Sequence, residues 1–166
     1  YPVPLTVVHV FRFATLSAWM DLHSGRSLVY THASANPNRL VFGAGSVASM
    51  TEPTPLETSR YHVVGVVYNG SSSKVFYDSL TATTTGTTAT YAANSRAAMP
   101  GIKLGTSSES TGAFLDGWIA ETIVVNRACS EADMAGIMGQ LATRYNLPWK
   151  PTDPGPPAPP PIGAGG

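Results

Sequence analysis

The sequence predicts an all-β fold, an antiparallel β-sandwich or jelly roll with one short C-terminal helix. Three observations carry that expectation. Short segments of alternating apolar residues recur between turn-forming clusters, no helix-period segment separates them, and one capped helical stretch stands alone near the end.

Each element follows from its own residues. From Pro4 to Phe13, Leu5, Val7, His9, Phe11 and Phe13 alternate with Thr6, Val8, Val10 and Arg12, a strand with one apolar face and one mixed face. Ser27 to Ala33 and Arg39 to Gly43 read as two short strands joined across Asn36, Pro37 and Asn38. Tyr61 to Tyr68 and Lys74 to Asp78 form a hairpin around Asn69-Gly70 and three serines, because Asn-Gly tolerates the positive φ of a tight turn. The threonine-rich stretch Thr81 to Tyr91 suits a half-solvated strand, and Gly101 to Gly105 and Ala113 to Asn126 complete the set. Ser130 and Asp133 have capping-box spacing, and Met134, Ile137, Met138, Leu141 and Tyr145 then recur at helical spacing until Asn146 and Pro148 close the helix. The helix is expected across one edge of the sandwich with that stripe inward. Gly136 and Gly139 weaken a helix, so a close backbone approach is expected on their side.

The domain therefore spans residues 1–149, and residues 150–166 form a Pro/Gly-rich extended tail or linker. Seven of the 14 prolines lie there, and such a segment favours an extended polyproline conformation.

Composition narrows the function. Ten basic residues balance ten acidic ones, which argues against nucleic acid, whose binding rests on clustered Lys and Arg. Only 12% of residues are charged, a surface that associates readily and suits an assembly or an extracellular setting. No apolar run reaches a membrane span, so no membrane insertion is expected. The single cysteine, Cys129, has no disulfide partner in the chain and reads as a small buried hydrophobe.

Searches for chemistry return mostly turns. Gly43, Gly45 and Ala48 have dinucleotide-fingerprint spacing, but Pro53 and Pro55 forbid the helix that must follow. The run from Gly70 to Lys74 lacks the second glycine of a phosphate loop. Paired carboxylates for glycoside cleavage are missing from the strands: Asp116 and Glu121 are an odd number of residues apart and fall on opposite faces unless a bulge intervenes. His9, His23, His32 and His62 share no metal-ligand spacing, and His9 and His62 read as core histidines. Recognition by surface aromatics remains. Of Trp19, Tyr30, Phe42, Tyr77, Tyr91 and Trp118, those spared by the core can stack on sugars or anchor a protein, and Trp19, Tyr30 and Tyr91 are the candidate carbohydrate- or partner-contacting residues.

The span Phe114 to Leu147 resembles the C-terminal signature of laminin-G-like, concanavalin A-like jelly-roll domains. The matching positions are Gly117, Ile119, Glu121, Asn126, Arg127, Ala128 and Ser130, with Cys129 where leucine is usual. The hairpin Tyr61 to Asp78 and the strand Ile102 to Gly105 are similar to the family's central part. This resemblance implies a non-enzymatic module for adhesion, glycan binding or assembly, of the kind found in extracellular and bacteriophage structural proteins. Calcium binding by some relatives has no matching residue set here, so no catalytic residue, cofactor or metal site is carried over. Relatives have further strands before the position of Leu5; here they are expected to be missing or supplied from elsewhere, leaving an open sheet edge.

The leading expectation is a structural or decoration module on a virion surface or other extracellular assembly. It would attach through the open edge and the Pro-rich arm to other structural subunits, or to further copies of itself. The alternative is a lectin-like module binding a surface glycan. A degenerate glycosidase is the third reading.

Overall fold

A computed structural model describes residues 4–15, 21–24, 27–32, 36–44, 49–51, 57–69, 72–79, 84–85, 102–105 and 114–147. The surroundings of side chains are described for 4–15, 57–69, 72–79, 102–105 and 114–147. The expected tail, residues 150–166, and the boundary before it lie outside the described residues.

In chain order the elements are β1 (Leu5–Phe13), β2 (Asp21–Ser24), β3 (Ser27–His32), β4 (Asn36–Ala44), β5 (Ser49–Thr51), β6 (His62–Tyr68), β7 (Lys74–Tyr77), β8 (Thr84–Thr85), β9 (Lys103–Leu104), β10 (Gly117–Val125) and α1 (Glu131–Arg144). The described strands form two five-stranded sheets, ordered β10-β1-β6-β7-β8 and β5-β4-β3-β2-β9, and every pairing is antiparallel. Two antiparallel sheets with one helix agree with an all-β sandwich.

The first sheet shows why its strands form. β1 pairs along its length with β6 and β10, and its residues from Leu5 to Val10 are all fully buried. Alternation sorts them. Leu5, Val7, Phe11 and Phe13 join Val64, Val66, Tyr68, Val75 and Tyr77 on one face, with Ile102, Leu115 and Ile119 packed against them. Val8 and Val10 join Val63, Val67 and Phe76 on the other, where Met134, Met138 and Leu141 of α1 cover them. A sheet covered on both faces excludes water from its ladder, and each buried aliphatic or aromatic side chain contributes about 1.5–3 kcal/mol.

The helix starts where the capping box places it. Ser130 Oγ accepts from the Asp133 N–H at 3.1 Å, and the Asp133 carboxylate accepts from the Ser130 N–H at 2.9 Å. Asp133 replaces the usual glutamate with a shorter reach and also holds Arg127 through both oxygens. That ion pair, with the Ser130 bonds, keeps the Asp133 carboxyl well below the usual carboxylate range. Asn146 ends the helix in the left-handed region, at φ 49°.

Three local expectations are corrected. The helix lies over the face of the first sheet, not along an edge, because its buried stripe matches the apolar row that Val8, Val10, Val63 and Phe76 leave uncovered. A Cβ at Gly136 or Gly139 would meet nothing, so neither marks a close approach; Gly65 does, since a Cβ there would overlap the Met134 methyl. Asn36 to Asn38 is no turn between strands. Asn36 already pairs with His32, and a register shift after Thr31 leaves Pro37 in an irregularity of the strand, where proline's missing N–H is tolerated.

Candidate functional site

Two polar groupings stand out among the described residues, and the antiparallel register builds both. The first is buried at the end of the β6–β7 hairpin. Asp78 follows β7 in the left-handed region, at φ 47°. There its N–H donates to the Val63 carbonyl at 3.0 Å, and its Oδ1 accepts from the Val63 N–H at 2.9 Å. Its Oδ2 meets His62 Nδ1 at 2.7 Å and Arg60 Nη1 at 2.8 Å. His62 Nε2 donates to the Glu57 carbonyl at 2.8 Å, and the Tyr77 hydroxyl lies 2.8 Å from Nδ1. The Tyr77 ring stacks on His62, 5.3 Å between centroids. Arg60 also holds the Glu57 carboxylate at 2.8 Å.

Electrostatics follow from this packing. Burial pushes the Asp78 carboxyl up, but the hydrogen bond and charge of His62, the Val63 N–H and the Arg60 guanidinium outweigh it and hold the group below its ordinary range. Burial works against the charge of Arg60, while Asp78 and Glu57 more than restore it, so its pKa is raised. His62 is fully buried and Asp78 almost so, and each is committed to partners within the chain. This arrangement fixes the hairpin and its flanking loop. His9, the other core histidine, faces the Thr122 hydroxyl through Nδ1 at 2.9 Å.

The second grouping lies on the helix-bearing face, beyond the end of α1. Arg12 is the last member of the row Val8, Val10, Arg12 and pairs with Trp118 on β10. Its guanidinium carbon sits 4.9 Å from the centre of the indole ring, a cation–π contact. Trp118 is 50% exposed, so one side of the ring is open to solvent. Tyr61, next before the Phe11 partner His62, packs half-buried against the same outer-face cluster. Beside them Glu121 accepts from Arg144 Nη1 at 3.0 and 2.8 Å and from the Tyr145 hydroxyl at 3.0 Å. That bond raises the Tyr145 pKa, with burial adding to it. The clamp ties the helix C-terminus to β10 and offsets the Glu121 charge.

A bulge produces this face. Val10 pairs with Glu121 but Phe11 with Ile119, so Ala120 is the extra residue and Trp118 and Glu121 come to one side of the strand. Gly117 makes it possible for β10 to approach β1 here, because a Cβ at that position would overlap the Arg12 carbonyl.

The arrangement has a plain chemical capacity. A half-exposed indole with a guanidinium held against it offers a flat apolar surface beside a positive charge, which suits stacking on a sugar ring. Tyr30 lies on β3 of the second sheet, paired with Asp21 and Val41, apart from this patch; Trp19 and Tyr91 lie outside the described residues. Tyr77 is core. Trp118, one of the six aromatics named from the sequence, lies on this face, where the bulge at Ala120 turns it to the same side as Glu121. Asp116, the other carboxylate considered with Glu121, accepts from the Thr15 hydroxyl at 2.6 Å. Among the described residues no group of three or more His, Cys, Asp or Glu converges as metal ligands, and no described helix is long and apolar enough to cross a membrane.

No family model and no curated protein sequence matches the chain. Solved structures do match, in fold. A protein from Bacteroides ovatus provisionally named as carbohydrate binding aligns with a TM-score of 0.61 at 12% identity, over 79% of this chain and 39% of its own. A heptameric pentraxin from Limulus polyphemus, described as SAP-like, aligns at 0.58 and 12% identity over 87% of this chain and 72% of its own. A sialidase from Trypanosoma rangeli aligns at 0.61 and 13% identity over 84% of this chain and 23% of its own. These proteins share jelly-roll, concanavalin A-like sandwich folds. The chain thus spans well under half the length of two of them.

The sialidase overturns one expectation. A non-enzymatic class was inferred from the family resemblance, but the fold also occurs within an enzyme, so it supplies no argument against catalysis. Nor do these likenesses, which show the fold alone, support the expected virion role.

Proposed function

We propose that the domain is a jelly-roll sandwich that binds carbohydrate, with Trp118 as the stacking surface on the outer face of the first sheet. The observation that carries this reading is the half-exposed Trp118 ring, held flat by Arg12 and fixed in place by the pairing of β1 with β10. An aromatic side chain of this size is mostly buried as a rule; one left half open with a guanidinium against it has the composition of a binding surface. The fold shared with a protein provisionally named as carbohydrate binding supports the same reading. It is compatible with an extracellular location, where such ligands are met.

A glycan screen with the folded chain and its Trp118→Ala variant tests the proposal. Binding to one or more saccharides that disappears in the variant is expected. Saccharide binding unchanged by the substitution, or no binding at all by natively folded protein, would contradict it.

A further inference from the structure

The four arginines whose side-chain surroundings are described, Arg12, Arg60, Arg127 and Arg144, separate into two kinds. Arg60 is held by Glu57 and Asp78, Arg127 by Asp133 and Arg144 by Glu121, each at 3.1 Å or less. Arg12 holds no carboxylate among the described residues. Its Nε is buried and has no hydrogen-bond partner, although its guanidinium is held over the Trp118 ring. The neighbouring acids are already engaged, Glu121 by Arg144 and Tyr145, and Asp116 by Thr15.

A buried N–H without an acceptor is unfavourable, and the guanidinium that carries it has no counter-charge among the described residues. Cation–π contact stabilises the guanidinium's face and leaves its in-plane donors unused. Those donors form a planar fork that matches a carboxylate or sulfate group through two parallel hydrogen bonds.

We infer that Arg12 is the specificity-determining residue of this surface and that its ligand is an anionic saccharide, the acidic group seated on the Arg12 fork while the sugar ring stacks on Trp118. This rests on the carbohydrate-binding reading above and narrows it to one ligand class. A neutral sugar would occupy the indole and leave the guanidinium without a counter-charge among the described residues; an acidic one supplies that charge at the terminal nitrogens, the buried Nε staying within the fold.

Titration calorimetry with three probes tests the inference: a uronate-containing tetrasaccharide, the same tetrasaccharide with its carboxyls reduced to alcohols, and a sulfated neutral tetrasaccharide. The charged probes should bind about tenfold or more tightly than the reduced one, since a charge-assisted bidentate contact is lost. Preference for the uronate identifies a carboxylate as the ligand group, and preference for the sulfated probe identifies a sulfate; either supports the inference. Arg12→Met should abolish the preference, so that charged and reduced probes bind with equal affinity, and Arg12→Lys, which keeps the charge but not the fork, should retain part of it. Unfolding curves that overlay the parent's show that each variant is folded. Equal affinity for charged and reduced probes, or a preference that persists in Arg12→Met, overturns the anionic ligand and leaves the carbohydrate reading standing. Failure of the folded parent to bind any of the three, together with a blank glycan screen, overturns both.

Discussion

The two polar groupings of the first sheet differ in one respect that decides their roles. At the hairpin end, Asp78 meets His62, Arg60 and the Val63 N–H, so a buried charge is matched within the chain. At the other, Arg12 is stacked but unmatched, and its neighbour Trp118 is half open to solvent. A satisfied network rigidifies and an unsatisfied one waits for a partner. The same sheet thus carries a structural charge cluster and a recognition surface, told apart by whether the polar atoms find their complement inside the fold.

This contrast is sharpened first by removing the charge at the hairpin. Asp78→Asn leaves His62 and Arg60 facing a neutral amide in a buried site and should cost about 3–5 kcal/mol in denaturant unfolding, with sugar binding unchanged while the protein stays folded. The same carboxylate sets an acid limit. Its pKa is lowered in the folded state, so the unfolded chain binds more protons as pH falls. Stability from this group is fully present above its unfolded value, about 4, and is lost as pH drops through the lower folded value. Unfolding free energy measured at a series of acidic pH values should fall across that window, and less steeply in Asp78→Asn.

Gly117→Ala joins the two regions. A Cβ there overlaps the backbone of Arg12 and Phe13, which has no flexible end to yield, so β10 must move away from β1. A loss of about 1–3 kcal/mol is expected, together with weaker saccharide binding because Arg12 and Trp118 lose their register. Trp118→Ala should cost about 1–2 kcal/mol in stability, because half of the ring is buried, and has the largest effect on binding. Ser130→Ala removes the acceptor that caps α1 and should cost about 1 kcal/mol, read as a lower denaturant midpoint with binding intact.

Legibility in the sequence followed periodicity. β1, the Asn69-Gly70 hairpin, β10 and the capped helix were readable because alternation, a turn dipeptide and a cap each report a local conformation. β2 and β5, four and three residues long, carry too little pattern to be read. The helical stripe of Met134, Met138 and Leu141 shows that a face is buried but not against what, hence its expected place at an edge when it covers a face. His62 was readable as a core histidine; its partner Asp78 lies 16 residues away, and only the hairpin register joins them. The recognition surface was hidden for a different reason. The bulge at Ala120 resets the alternation along β10, and the lack of a carboxylate partner for Arg12 among the described residues follows from long-range pairing that no local pattern records.

The most direct test of the account is a saccharide titration followed by NMR on the Trp118 indole N–H, assigned by its absence in Trp118→Phe. The account predicts a saturating shift of that resonance with a saccharide ligand, while the buried His62 ring resonances stay in place. A saccharide that binds and moves the His62 cluster but leaves Trp118 unshifted would contradict it.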